Sequence, residues 1–271
     1  MTEYPVIKAE GSGKGGLSRR DMLRGAAALP LSAVLANPAF AEAVAAGLTD
    51  VSITTQADGR KVTAALALPD VTPAPAVLLI HEWWGLNAQI KSVAAELAKL
   101  GYVALAVDLY DGKVTDKPEK AGEYAGAVKA EEARDTLKSW VNWLKAHDKV
   151  SGKVASMGWC FGGGWSLETA IEAEVDGAII YYGRVDVPKE RLEKISSEVL
   201  GHFATHDTFI TEEMVGDFAQ RMGELNKDMS LNWYDADHAF AHPTSSLYDA
   251  GDAKLSCDRS LAFLSRVLGE E

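Results

Sequence analysis

Cys160 stands in the run Gly158-Trp159-Cys160-Phe161-Gly162-Gly163, between an apolar strand-like stretch, Val154–Met157, and an apolar helical one. This is the G-x-S-x-G form with sulfur in place of oxygen. A side chain on so sharp a strand-to-helix turn is lifted above the sheet edge. The glycines two before and two after it stand where any Cβ would crowd the turn. The helix beginning there aims free N–H groups at a reacting carbonyl, and its positive end favours a thiolate over a thiol. A thiol nucleophile also needs a base, and the base needs an orienting acid. Asp207 and His238 each lie just past a predicted strand, Glu198–Ala204 and Ser230–Tyr234. His238 would take the thiol proton and later protonate the leaving alkoxide, and Asp207 would fix its tautomer. Their neighbours His206 and Asp237 could replace them. Other readings of the run are a buried structural cysteine or a phosphate-cradling loop, although the P-loop lysine and hydroxyl are absent.

These residues need a scaffold that gathers strand ends. Short apolar runs at Val51–Thr55, Val62–Leu68, Ala76–Ile80, Tyr102–Val107, Val154–Met157, Ala178–Tyr182, Glu198–Ala204 and Ser230–Tyr234 predict strands, with a turn at Asp58-Gly59. Amphipathic stretches at Ala88–Leu100, Ala121–Ala146 (one helix or two), Glu212–Leu225 and Lys254–Leu268 predict helices between them. The alternation implies an α/β fold, a mostly parallel sheet with helices on both faces. Such sheets place their sites at the carboxyl ends of the strands. Asp111–Lys120 is polar and reads as a loop that could border a pocket.

Composition narrows the partners. The net charge is −12 over 271 residues, which would repel nucleic acid. Two cysteines, Cys160 and Cys257, make no disulfide framework, and without a C-x-x-C pair a redox role for Cys160 is improbable. The six histidines have no metal-ligand spacing, so neither metal nor cofactor is expected. At the N-terminus, Arg19-Arg20 precedes an apolar run, Gly25 to Ala36, and the small residues of Asn37-Pro38-Ala39-Phe40-Ala41. That order resembles a twin-arginine export signal cut after Ala41. It predicts residues 1–41 as signal, 42–271 as one mature domain, the twin-arginine machinery as a partner, and a periplasmic or secreted product. The apolar run is too short to span a bilayer, so no stable membrane anchor should remain after cleavage.

From about residue 51 to 268 the chain resembles the dienelactone hydrolase family of α/β-hydrolases. The matching residues are His81-Glu82-Trp83-Trp84-Gly85, the run Gly158 to Gly163, Tyr181-Tyr182-Gly183, Asp207, and His238 with Phe240. The order nucleophile, acid, histidine is that of the fold. The resemblance implies hydrolysis of a small-molecule ester or lactone through a cysteine thioester, without a cofactor. It implies an oxyanion hole from the Trp83 and Phe161 amides, and a Glu82 carboxylate that tunes the thiol. One departure stands out. The family's arginine for the substrate carboxylate is replaced by His242 in Ala239-Phe240-Ala241-His242. An unperturbed histidine is neutral at pH 7, so anionic dienelactones are poor candidates as substrates, unless Lys113 or Arg184 enters the pocket. Trp83, Trp84, Trp159 and Trp165 suggest an apolar pocket. The alternative function is a non-catalytic periplasmic binding protein on the same fold.

Overall fold

The computed structural model describes residues 38–269. Its frame is one eight-stranded sheet. The strands are β1 (Thr49–Thr54), β2 (Lys61–Ala67), β3 (Ala74–Ile80), β4 (Val103–Val107), β5 (Val150–Trp159), β6 (Gly177–Tyr181), β7 (Glu198–Ala204) and β8 (Met229–Tyr234), in spatial order β1-β2-β4-β3-β5-β6-β7-β8. β1 and β2 form an antiparallel hairpin around Gly59, whose φ of 69° suits glycine. β2 meets β4 antiparallel, and every later pair is parallel. The mostly parallel sheet is the one expected from the alternating pattern, and its architecture is the α/β-hydrolase fold that the family resemblance implies.

The central strands are apolar on both faces because helices cover both. On β3, Leu78 and Ile80 belong to the core shared with Leu137 and Trp140 of α4 (Ala130–Ala146), Leu167 of α5 (Phe161–Glu172) and Phe218 of α7 (Glu212–Glu224). Val77 and Leu79 point the other way, toward Val93 and Leu97 of α2 (Ala88–Lys99) and Phe263 and Leu264 of α8 (Ala250–Leu268).

Several boundaries differ from those predicted. The stretch 121–146 is two helices, α3 (Pro118–Ala127) and α4. Pro118 opens α3 within the segment predicted as a loop, and Val128 and Lys129 are extended between the two. α8 starts at Ala250 rather than Lys254, because the Asp249 side chain accepts from Asp252 N and caps it. A four-residue helix, α6 (Lys189–Leu192), has too short an apolar pattern to be recognised. The first helix, α1 (Pro38–Ala45), holds the last residues of the predicted signal, and the rest of that signal lies outside the described residues. Among the described residues no helix is long and apolar enough to cross a membrane.

Candidate active site

The elbow is built from backbone collisions that only glycine avoids. Cys160 sits at φ 52°, ψ −115°, immediately before α5. Its amide donates to Tyr181 O at 2.9 Å, which ties the turn to β6. A Cβ on Gly158 would lie 2.0 Å from Gly162 O, and one on Gly162 would lie 2.2 Å from Ile80 O. Gly163 and Gly183 stand back to back, since a Cβ on Gly183 would reach the Gly163 carbonyl carbon at 2.3 Å. The glycine of Tyr181-Tyr182-Gly183 therefore serves the elbow from the neighbouring strand.

At this turn the structure brings together the cysteine, the histidine and the aspartate. His238 Nε2 lies 3.2 Å from Cys160 Sγ, and His238 Nδ1 lies 2.6 Å from Asp207 Oδ2. The other Asp207 oxygen accepts from the amides of Phe209 and Ile210 at 2.8 and 2.9 Å. Burial raises the Asp207 pKa, but His238 and these amides outweigh it and hold it below the ordinary value. For His238, burial opposes the charge. The bonds to Asp207 and Cys160 dominate and push its pKa up to about 10. These two contacts favour the charged ring, which has an N–H for each. The alternatives fall outside: His206 pairs with Asp235 on the surface, and Asp237 is exposed.

Two further aromatics touch the base. Tyr182 packs edge-on against His238 at 5.2 Å between centroids, and Phe209 does so at 5.4 Å. Phe209 is 72% exposed, so an apolar ring stands over the histidine at the entrance. Tyr182 belonged to the matching Tyr-Tyr-Gly run without a role, and nothing in sequence marked Phe209.

The loop after β3 forms the opposite wall. His81 is fully buried, donates from Nδ1 to Glu82 O at 2.6 Å and accepts from Leu109 N at 3.2 Å. Gly85 has φ 90°, and a Cβ there would meet Lys113 O at 2.2 Å, while Trp84 O accepts from Thr115 N at 3.0 Å. The loop is thus pinned to the segment 111–116, which borders the pocket as anticipated through Thr115 and Asp116. Among the described residues, neither the Trp83 nor the Phe161 amide donates to another protein group.

Glu82 is buried with His242. His242 Nε2 lies 2.8 Å from Glu82 Oε2, close enough for an ion pair but not aligned as a hydrogen bond, and Tyr182 Oη donates to Glu82 Oε1 at 3.4 Å. Burial lowers the His242 pKa, but the carboxylate outweighs it and raises the value above 6.5. This corrects the expectation of an ordinary neutral histidine: its charge is stabilised, and Glu82 already takes it up.

These residues open on one cleft of about 1160 Å³, lined by Glu82, Trp83, Trp84, Trp165 and His242 among others. Trp159 is not among them. It is buried on the other side of the sheet, stacked on Tyr181 at 5.5 Å. Lys113 lies instead over the Tyr124 ring, while Arg184 does line the cleft, bound to Asp186 by two contacts of 2.5 Å. Arg134, Glu168 and Arg191 also line it. Sequence reading missed them, although Glu168 sits on the same helical stripe as Phe161 and Trp165. Cys257, on α8, is free and outside the cleft.

Comparison with known proteins identifies the family and the fold. The model of the Dienelactone hydrolase family matches residues 62–268. A carboxymethylenebutenolidase homologue from Saccharolobus solfataricus is 33% identical over 78% of this chain and 96% of its own. The carboxymethylenebutenolidase of Pseudomonas putida is 28% identical over 77% of this chain and 92% of its own. Among solved structures, a dienelactone hydrolase-like promiscuous phosphotriesterase from metagenomic libraries shares the fold. Its TM-score is 0.74 at 23% identity, covering 82% of this chain and 99% of that one. Thermogutta terrifontis esterase 2 gives 0.62 at 18% identity, covering 83% and 96%.

Proposed function

The chain belongs to the dienelactone hydrolase family and is a hydrolase of the ester or lactone type, and we propose that Cys160 is its nucleophile and that the reaction passes through a thioester. The observation that carries this reading is the chain of contacts Asp207–His238–Cys160, 2.6 and 3.2 Å long, at a strained turn before a helix N-terminus. The imidazolium and the helix end both set positive charge beside Cys160 Sγ.

The thiolate attacks the ester carbonyl, an S–C bond forms, and the carbonyl electron pair moves to oxygen. The Trp83 and Phe161 amides meet that oxyanion. Collapse breaks the C–O bond, and His238 gives its Nε2 proton to the departing alkoxide. In a lactone this oxygen stays tethered to the acyl group. Neutral His238 then takes a proton from water, the hydroxide attacks the thioester, and the thiolate leaves. The acid is released, and the imidazolium–thiolate pair is restored. Glu82, held by His242 and Tyr182, places a carboxylate beside this chemistry and tunes the thiol. Trp84 forms part of the apolar wall.

Non-catalytic binding on this fold has no observation in its favour, because an idle site has no need of a strained elbow and a hydrogen-bonded base. We propose in addition that residues 1–41 are a twin-arginine signal and that the mature domain, 42–271, works in the periplasm or outside the cell. The order of charge, apolar run and small residues supports this. The nucleophile is tested by Cys160→Ala, which should lose at least about 10³-fold in kcat/KM on an activated ester while keeping its circular dichroism. Near-wild-type turnover of the folded variant would reject the assignment.

A further inference from the structure

The cleft is longer than the triad requires, and its floor is one face of α5. Phe161, Gly164, Trp165 and Glu168 line it. These are the i, i+3, i+4 and i+7 positions of a helix, and all four are partly exposed while Gly162, Gly163, Ser166 and Leu167 are buried. The cleft therefore runs as a trench from the thiol along the helix axis. Eight residues separate Cys160 from Glu168, which at 1.5 Å per residue is about 12 Å. Between the ends lie Trp165, Val187 and Pro188, beside Arg184 and Asp186, which neutralise each other in an ion pair.

The far end is different. Glu168 Oε1 accepts from Arg191, and Oε2 accepts from both Arg191 and Arg134, at 2.6 to 2.8 Å. Arg134 also binds the highly exposed Glu131, and Arg191 binds Glu172. A guanidinium has five N–H donors. These bonds engage two groups of Arg134 and two of Arg191, so donors remain on both, whereas the Glu168 oxygens are already occupied. N–H groups remain on both guanidiniums, although the carboxylates of Glu131, Glu168 and Glu172 already outnumber their two charges.

We propose that the substrate is an elongated ester, with one apolar arm lying along α5 and ending in an oxygen acceptor received by the spare N–H groups of Arg134 and Arg191. The proposal rests on the reading of Cys160 as nucleophile. It makes Arg134 and Arg191 specificity-determining residues. A compact lactone carboxylate could not reach them from the thiol.

The test uses para-nitrophenyl acetate, hexanoate and nonanoate, together with the para-nitrophenyl monoester of nonanedioic acid. Acetate reads the chemistry, and the long esters read the arm. The expected result is a rise of at least about tenfold in kcat/KM from acetate to nonanoate, since each buried methylene adds to binding. A further rise of about tenfold should come with the terminal carboxylate. The protein's net charge of −12 works against an anionic substrate, so that gain must be local. Arg134→Gln and Arg191→Gln should each pull the monoester-to-nonanoate ratio toward one. Because this is a ratio within one preparation, partial misfolding does not affect it. A flat series with brisk acetate cleavage, or a monoester slower than nonanoate, overturns the proposal while leaving the thiol chemistry standing. Failure to cleave acetate, with no acetyl group on Cys160, overturns the nucleophile reading and the trench with it.

Discussion

At the scale of single residues, two histidines of the site are stabilised as cations, His238 by Asp207 and Cys160 and the buried His242 by Glu82. His238 has its pKa pushed up to about 10, against an unfolded value near 6.5. A raised folded pKa contributes stability that is complete below about 6.5 and is lost as the pH climbs through about 10. His242 acts in the same direction through Glu82. Denaturant midpoints should therefore fall between pH 6.5 and 10 in the native protein, and the slope should lessen in Asp207→Asn. A slope unchanged in that variant would mean the pairing is not what raises His238. Asp207→Asn should also lower kcat/KM by about 10² to 10⁴, because the ring loses its orienting anion. His242→Ala leaves Glu82 buried without a cation. It should cost about 3 kcal/mol or more in unfolding free energy, and a loss within error would show that the pair is spent on something other than stability.

At the scale of elements, the elbow divides the glycines into two kinds. Gly158→Ala and Gly162→Ala drive a Cβ into backbone at 2.0 and 2.2 Å, so each should destabilise by about 3 kcal/mol or more. Gly216, on the outer side of α7, has nothing within 4 Å of an added Cβ. Gly216→Ala should stabilise by about 0.5–1 kcal/mol through helix propensity. Thermal unfolding of the three variants checks both signs. The same contrast marks what could be read in advance. The elbow, the strand ends and Asp207 and His238 were legible because tight turns admit few residue types and buried parallel strands are uniformly apolar. Whether α3 and α4 are one helix or two stayed open in the sequence, since Val128 and Lys129 carry no Gly or Pro to signal the break. The position of Trp159 was not legible, because its side of the sheet depends on strand register. The ion pair of His242 with Glu82 joins residues 160 positions apart in sequence, and only the fold brings them together.

At the scale of the whole molecule, a parallel sheet covered on both faces leaves its carboxyl edge as the place where loops from β3, β5, β6, β7 and β8 converge. That one edge supplies the Glu82 loop, the elbow, Tyr182, Asp207 and His238. The proposed export also belongs to this scale. Replacing Arg19-Arg20 by two lysines should keep the protein inside the cell, and N-terminal sequencing of the exported form should begin at Glu42. Unchanged export would exclude the twin-arginine route. The central claim, however, is chemical. It is tested most directly by mixing the protein with excess para-nitrophenyl ester, quenching in acid within the first turnovers, and mapping the adduct by peptide mass spectrometry. The account predicts the acyl mass on the peptide containing Cys160, absent from Cys160→Ala and released by hydroxylamine, which cleaves thioesters to a hydroxamic acid and the free thiol. Acyl groups confined to other residues, or turnover with Cys160 never modified, would contradict it.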